Sequence, residues 1–146
     1  MILRNTKDIQ LKSINRRLLS LALPQNTVKL LEAFENTSNT KHLHGFLAEL
    51  QVIRCYLKKG YTLKSHRQKY FKTEIDIVME SSTKIILIEV KLTTHLDFIF
   101  YRMSPTQKKR LKNVFLRFIQ ITSKDVEFHY VITDFKQFHT FEDFLG

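Results

Sequence analysis

The feature that most constrains this chain is the run Lys84-Ile-Ile-Leu-Ile-Glu-Val-Lys91, an apolar stretch that ends in two charges two positions apart. A run this apolar implies a central strand, buried on both faces, where an unpaired charge is costly. Alternation of side chains along a strand puts Glu89 and Lys91 on one face and Ile88, Val90 and Leu92 on the other.

The residues just before it supply a partner. Glu74 to Glu80 reads as a second strand, with Glu74, Asp76 and Val78 facing one way and Ile75, Ile77 and Met79 the other. A two-residue turn at Ser82 and Thr83 sets the hairpin register so that Asp76 lies directly opposite Glu89. Two carboxylates so placed repel each other and destabilise the hairpin unless a cation sits between them. Mg²⁺, which prefers hard oxygen ligands and keeps water and substrate in its shell, suits such a pair. Lys91, on the Glu89 face, is placed to orient or deprotonate an attacking water and to offset developing phosphate charge. The competing reading is a solvated ion-pair ladder on an exposed sheet; the apolar setting of Glu89 argues against it.

Around this hairpin the spacing predicts a helix from Lys41 to Lys59 closed by Gly60, with Leu43, Phe46, Leu47, Leu50, Ile53 and Leu57 on one face. A strand over Tyr61 to His66 follows it. Ser104, Pro105 and Gln107 spell a helix start with a capping box, and that helix runs to about Ile121. Val126 to Ile132 alternates as a fourth strand, giving αβββαβ. Phe135, Phe138, Phe141 and Leu145 recur at three or four and predict a short C-terminal helix. Two further helices, Asp8 to Leu21 and Thr27 to Glu35, form an N-terminal helical extension over 1–40, ahead of a domain over 41–146.

The expected fold is therefore α/β, a mixed sheet flanked by helices. Its 24 Lys and Arg against 14 Asp and Glu give a net charge of +10, which favours a polyanionic partner. Lys108, Lys109, Arg110 and Lys112 cluster on the predicted second helix of the domain as a basic surface suited to DNA phosphates; Gln107 is a cap or a phosphate or base contact. Glu49 borders the apolar face of its helix and could reach over the sheet edge, and Glu74 shares the Asp76 face. The six histidines form no ligand grouping and read as surface or boundary residues. Cys55, a lone cysteine, reads as a small core residue and excludes an internal disulfide. No stretch is apolar enough to span a membrane, so a soluble cytoplasmic protein is expected.

The motifs Gly45-x-x-x-Glu49, Lys59-Gly60-Tyr61, Glu74-Ile-Asp76-Ile and Ile88-Glu-Val-Lys91 occur in the order seen in the PD-(D/E)XK nuclease superfamily. Over about residues 42–133 the chain most resembles the YraN-like bacterial proteins, then the archaeal Holliday junction resolvases. It departs from them at Ile75, where Pro is usual, and at Thr73 and Thr93, where YraN-like proteins place Gly and a basic residue. The resemblance implies a restriction-endonuclease-like core and a nuclease dependent on Mg²⁺ or Mn²⁺, acting on DNA and on branched or recombination and repair intermediates. It implies that Asp76, Glu89 and Glu49 hold the metal and that Lys91 assists the water. RNA as substrate and a homodimer stay open, and so does a non-catalytic nucleic-acid-binding protein on the same fold.

Overall fold

The computed structural model describes residues 40–93, 103–142, 144 and 145. The two helices expected before residue 40 lie outside the described residues. In chain order the elements are α1 (Thr40–Lys58), β1 (Thr62–Tyr70), β2 (Thr73–Glu80), β3 (Lys84–Leu92), α2 (Pro105–Ile121), β4 (Asp125–Thr133) and β5 (Phe138–Glu142). The αβββαβ order expected from the sequence is present, with one strand more.

Each boundary has a local cause. Gly60, at φ 95°, closes α1: its N–H bonds to Leu57 O and the Tyr61 N–H to Tyr56 O, the paired bonds of a Schellman end. Ser104 caps α2, its Oγ accepting from the Gln107 N–H at 3.2 Å, with Pro105 at the first helical position. The Gln107 side chain does not turn back to the cap as a full capping box requires; its amide is directed at Glu89 Oε2, 3.5 Å away. The β2–β3 turn falls on Ser82 and Thr83, where Ser81 N–H bonds to Lys84 O at 2.8 Å.

The strands lie side by side in sequence order as one five-stranded sheet. All neighbours are antiparallel except β3 and β4, which run parallel and are joined across α2, as a parallel pair requires. The hairpin register is the expected one: Ile77 pairs with Ile88 and Val78 with Leu87. α1 buries Phe46, Leu50 and Ile53 against Ile77, Met79, Ile86 and Ile88 on one face. α2 buries Leu111, Val114 and Phe118 against Val78, Leu87, Phe128 and Ile132 on the other. β3 is thus a central strand covered on both faces, which is what its apolar run demands.

The expected C-terminal helix is overturned. Phe138–Glu142 is a strand paired with β4, Tyr130 opposite Phe141 and His129 opposite Glu142. Between β4 and β5 the Asp134 carboxylate accepts from the Lys136 and Gln137 N–H groups and Phe135 takes φ 76°. The Asp134 bonds are those an N-cap could make, but Phe135 at φ 76° is not helical, and β5 satisfies the backbone groups that β4 would otherwise leave unpaired. Cys55 is half-buried, beside Arg54, Lys58 and Phe138 in a shallow depression, and is not the core residue expected.

Candidate active site

The hairpin brings Asp76 and Glu89 together as its register requires, and their side chains replace the ladder at that point. The Asp76 N–H donates to Glu89 Oε1 at 3.1 Å, and the Val90 N–H donates to Asp76 Oδ2 at 2.9 Å. Each carboxylate is therefore fixed by the backbone of the opposite strand. Glu89 is 7% exposed. Burial, then the charge of Asp76, pushes the Glu89 carboxyl well above its ordinary range. Burial, then Glu49, pushes Asp76 up as well, against the pull of the Val90 amide and the Arg67 charge. A half-buried and a buried acid side by side, both with raised proton affinity, lack the positive charge that would let both ionise.

Glu49 comes from α1 and is buried. It is clasped by two consecutive residues of β1: His66 Nε2 lies 2.8 Å from Oε1, and Arg67 donates from Nε to Oε1 and from Nη2 to Oε2 at 2.8 and 2.9 Å. Consecutive side chains of a regular strand point to opposite faces. Arg67 departs from that rule because it sits at φ 54°, a left-handed backbone that an L-residue adopts only at a cost. Alternation is also broken on β2 beside it: Ile75 packs on the α2 side whereas Ile77 packs on the α1 side. Burial alone would raise the Glu49 carboxyl; its bonds and charges from His66 and Arg67 outweigh that and leave it below the ordinary glutamate value. His66 is fully buried, not the surface or boundary residue expected, and neither it nor Arg67 was singled out from the sequence. Nothing in a non-glycine at position 67 signals a positive φ.

Lys91 is exposed at the end of β3, two residues beyond Glu89. Glu74 is exposed at the start of β2. The residues proposed for nucleic-acid contact divide around α2. Gln107 and Arg110 border a depression that also holds Glu74; Lys108 stacks over the Phe144 ring on the other flank; Lys109 and Lys112 are exposed. They do not form one surface.

Among the described residues the grouping whose donor atoms all lie within 4.8 Å of one another is a different one, Glu127, His129 and Glu142. It is already satisfied without a metal. Lys84 Nζ sits on Glu127 at 2.5 Å, and this bond is the main reason the Glu127 carboxyl is held below its usual value. His129 Nε2 lies 2.9 Å from Glu127 Oε1, and Tyr56 OH bonds to His129 Nδ1. A carboxylate accepts only, so Nε2 donates to Glu127, and Nδ1 is engaged by Tyr56. Both ring nitrogens are thus already engaged, whereas Asp76 and Glu89 lack the compensating charge that would let both ionise. His129, also buried, corrects the same expectation as His66.

Fold and site together define an α/β protein whose five-stranded mixed sheet, flanked by two helices, carries interlocked acids, one buried and one half-buried, on adjacent strands. The chain belongs to UPF0102, an uncharacterised protein family, whose model matches residues 48–136. Asp76, Glu89, Lys91 and Glu49 all fall inside that span. The chain is 37% identical over 67 residues to a UPF0102 protein of Roseobacter denitrificans, covering 46% of this chain and 52% of that one. It is 36% identical over 72 residues to one of a Ruegeria strain, with 49% and 58% covered, and 30% identical over 78 residues to one of Coxiella burnetii, with 52% and 65% covered. The chain thus spans little more than half the length of the first two relatives. The expected likeness to the YraN-like proteins holds at the level of this family. No helix among the described residues is long and apolar enough to cross a membrane.

Proposed function

We propose that this chain is a divalent-metal-dependent phosphodiesterase acting on DNA, built on a PD-(D/E)XK-type core. The observation that carries the reading is the pair Asp76, half-buried, and Glu89, buried, each fixed by the backbone of the other's strand and pushed toward protonation. Hard-oxygen donors that ionise together only beside a compensating cation fit Mg²⁺ or Mn²⁺. Asp76 and Glu89 would hold the ion. Glu49 adds negative charge felt by both; His66 and Arg67 occupy both lone pairs of Oε1 and one of Oε2, which leaves one on Oε2 for the ion. A bound divalent ion activates water and polarises a phosphoryl oxygen.

The chain's own residues supply the remainder. Lys91, on the strand that carries Glu89, offers an ammonium for the attacking water or for charge developing on the phosphate. The Gln107 amide, within reach of Glu89 Oε2, steadies that carboxylate from the opposite layer. Arg67 keeps Glu49 ionised and lends positive charge to Asp76.

The test is incubation with Mg²⁺ or Mn²⁺ and labelled linear, flap and four-way-junction DNAs, with EDTA and Asp76→Ala as controls. Metal-dependent cleavage lost in the variant supports the proposal. DNA binding without cleavage in any metal would leave a non-catalytic binding protein in its place.

A further inference from the structure

The flank of α2 that faces the β1–β2 turn is lined differently from the rest of the helix. Two adjoining depressions lie along it. The first, of about 330 Å³, is bordered by Lys72, Glu74, Gln107 and Arg110. The second, of about 280 Å³, is bordered by Phe71, Arg110, Asn113 and Arg117. Thr73 and Arg110 belong to both, so one trough leads from Gln107, beside Glu89, to Phe71.

Phe71 is an odd occupant of its position. It and Lys72 are the two residues between Tyr70 and Thr73, which pair across the hairpin, and both have positive φ, 52° and 69°. A two-residue turn of that kind favours Asn-Gly; Phe-Lys is strained there, and local strain of this sort gathers at functional sites. The ring is 43% exposed. Phe118 meets its edge at 6.4 Å, and the Arg117 guanidinium lies 4.9 Å from its centroid.

We propose that this trough receives an unpaired DNA strand running away from the Asp76–Glu89 site, with one base stacked on Phe71 and the phosphates met by Lys72, Arg110 and Arg117. Phosphates of a duplex call for cations alone; an exposed aromatic ring flanked by cations matches a strand whose bases are free to turn outward and stack, whatever their sequence. From Gln107 to Arg117 is ten residues of helix, roughly 15 Å; an unstacked strand is longer per nucleotide than the ~3.4 Å of a duplex strand, so the trough holds fewer than about four nucleotides. Glu74, the acid of the trough, lies at the end nearest the proposed metal. The inference rests on the phosphodiesterase reading for its choice of ligand and names the substrate class of that site: DNA with a single-stranded branch.

The test is binding, in EDTA, of a blunt duplex and of the same duplex with a short single-stranded flap carrying 2-aminopurine. The wild type should prefer the flap, with the fluorescence quenched by stacking. Phe71→Ala should lose roughly five- to a hundredfold of flap affinity, the worth of one stacked base, and leave blunt affinity unchanged; Phe71→Trp should keep the preference. Thermal melting of each variant separates this from unfolding, and Arg117→Gln should weaken flap binding without abolishing quenching. An equal loss on both DNAs by folded Phe71→Ala, or no flap preference in the wild type, overturns the inference. Because no metal is present, failure here leaves cleavage to be judged by its own assay, and absence of cleavage leaves this binding result standing.

Discussion

Replacing Glu89 by Gln should make the metal-free protein more stable at neutral and alkaline pH while removing its response to metal. Folding raises the proton affinity of Glu89, chiefly through burial and then through Asp76, so the folded state binds more protons than the unfolded one and stability falls as pH rises. The loss begins above the ordinary glutamate value and continues up to the raised one, at ~1.4 kcal/mol per pH unit. Two units of it amount to ~3 kcal/mol by about pH 6 to 7. Gln keeps an oxygen for the Asp76 N–H and deletes the charge, but its amide hydrogens need acceptors, which Asp76 supplies only in part. A net gain of ~1–2 kcal/mol at pH 8 is expected, a rise in Tm of roughly 3–8 °C, shrinking to nothing at pH 4, where Glu89 is protonated in both states. Melting curves in EDTA from pH 4 to pH 9 read this directly. In Mg²⁺ or Mn²⁺ at about a hundred times Kd the wild type should gain ~2.7 kcal/mol and the variant almost nothing. A difference between the two proteins that does not change with pH, or equal stabilisation of both by metal, would refute the reasoning.

Asp76→Ala should lose metal binding by calorimetry while staying folded, whereas Lys91→Ala should keep metal and DNA binding and cleave slower by about two orders of magnitude or more, seen in single-turnover rates. Arg67→Ala leaves Glu49 buried without its guanidinium; urea melts should show a loss of ~2–3 kcal/mol, at or below the low end for a broken buried pair because the Arg67 side chain is 24% exposed, and Glu49→Gln in the same background should recover most of it. Changing Lys108, Lys109 and Lys112 together to Gln should weaken binding to all DNAs alike and reduce the salt slope by about 0.9 for each phosphate no longer neutralised, with most of the change traceable to the exposed Lys109 and Lys112.

The core hairpin was legible because its signals agree. The apolar run of β3 and the two-residue turn set one register, and Ile77 opposite Ile88 follows from it. The clasp on Glu49 was not legible. It depends on Arg67 at φ 54°, and the energy that holds a non-glycine there comes from the tertiary bonds to Glu49, which no local pattern records. β5 was misread for another reason: Phe135, Phe138 and Phe141 fit helical spacing, yet Phe138 and Phe141 remain more than a third exposed. Their spacing describes no buried helix face, and the Asp134 turn together with the open backbone of β4 decided the outcome. The trough residues Phe71 and Arg117 lie far apart in sequence and meet only because the β1–β2 turn folds over α2.

The irregular backbone of β1 has a consequence for how copies of the protein meet in solution. Among the described residues β1 is an outermost strand of the sheet, and such a strand offers N–H and C=O groups to another extended chain. Here the offer is spoiled in several places: the register shifts between Leu63 and Ser65, Arg67 turns left-handed, and Lys64 and Lys69 stand exposed along the strand. The distortion that lets His66 and Arg67 close on one carboxylate therefore also denies a second molecule a straight ladder to extend, so strand-to-strand self-association is disfavoured along this edge.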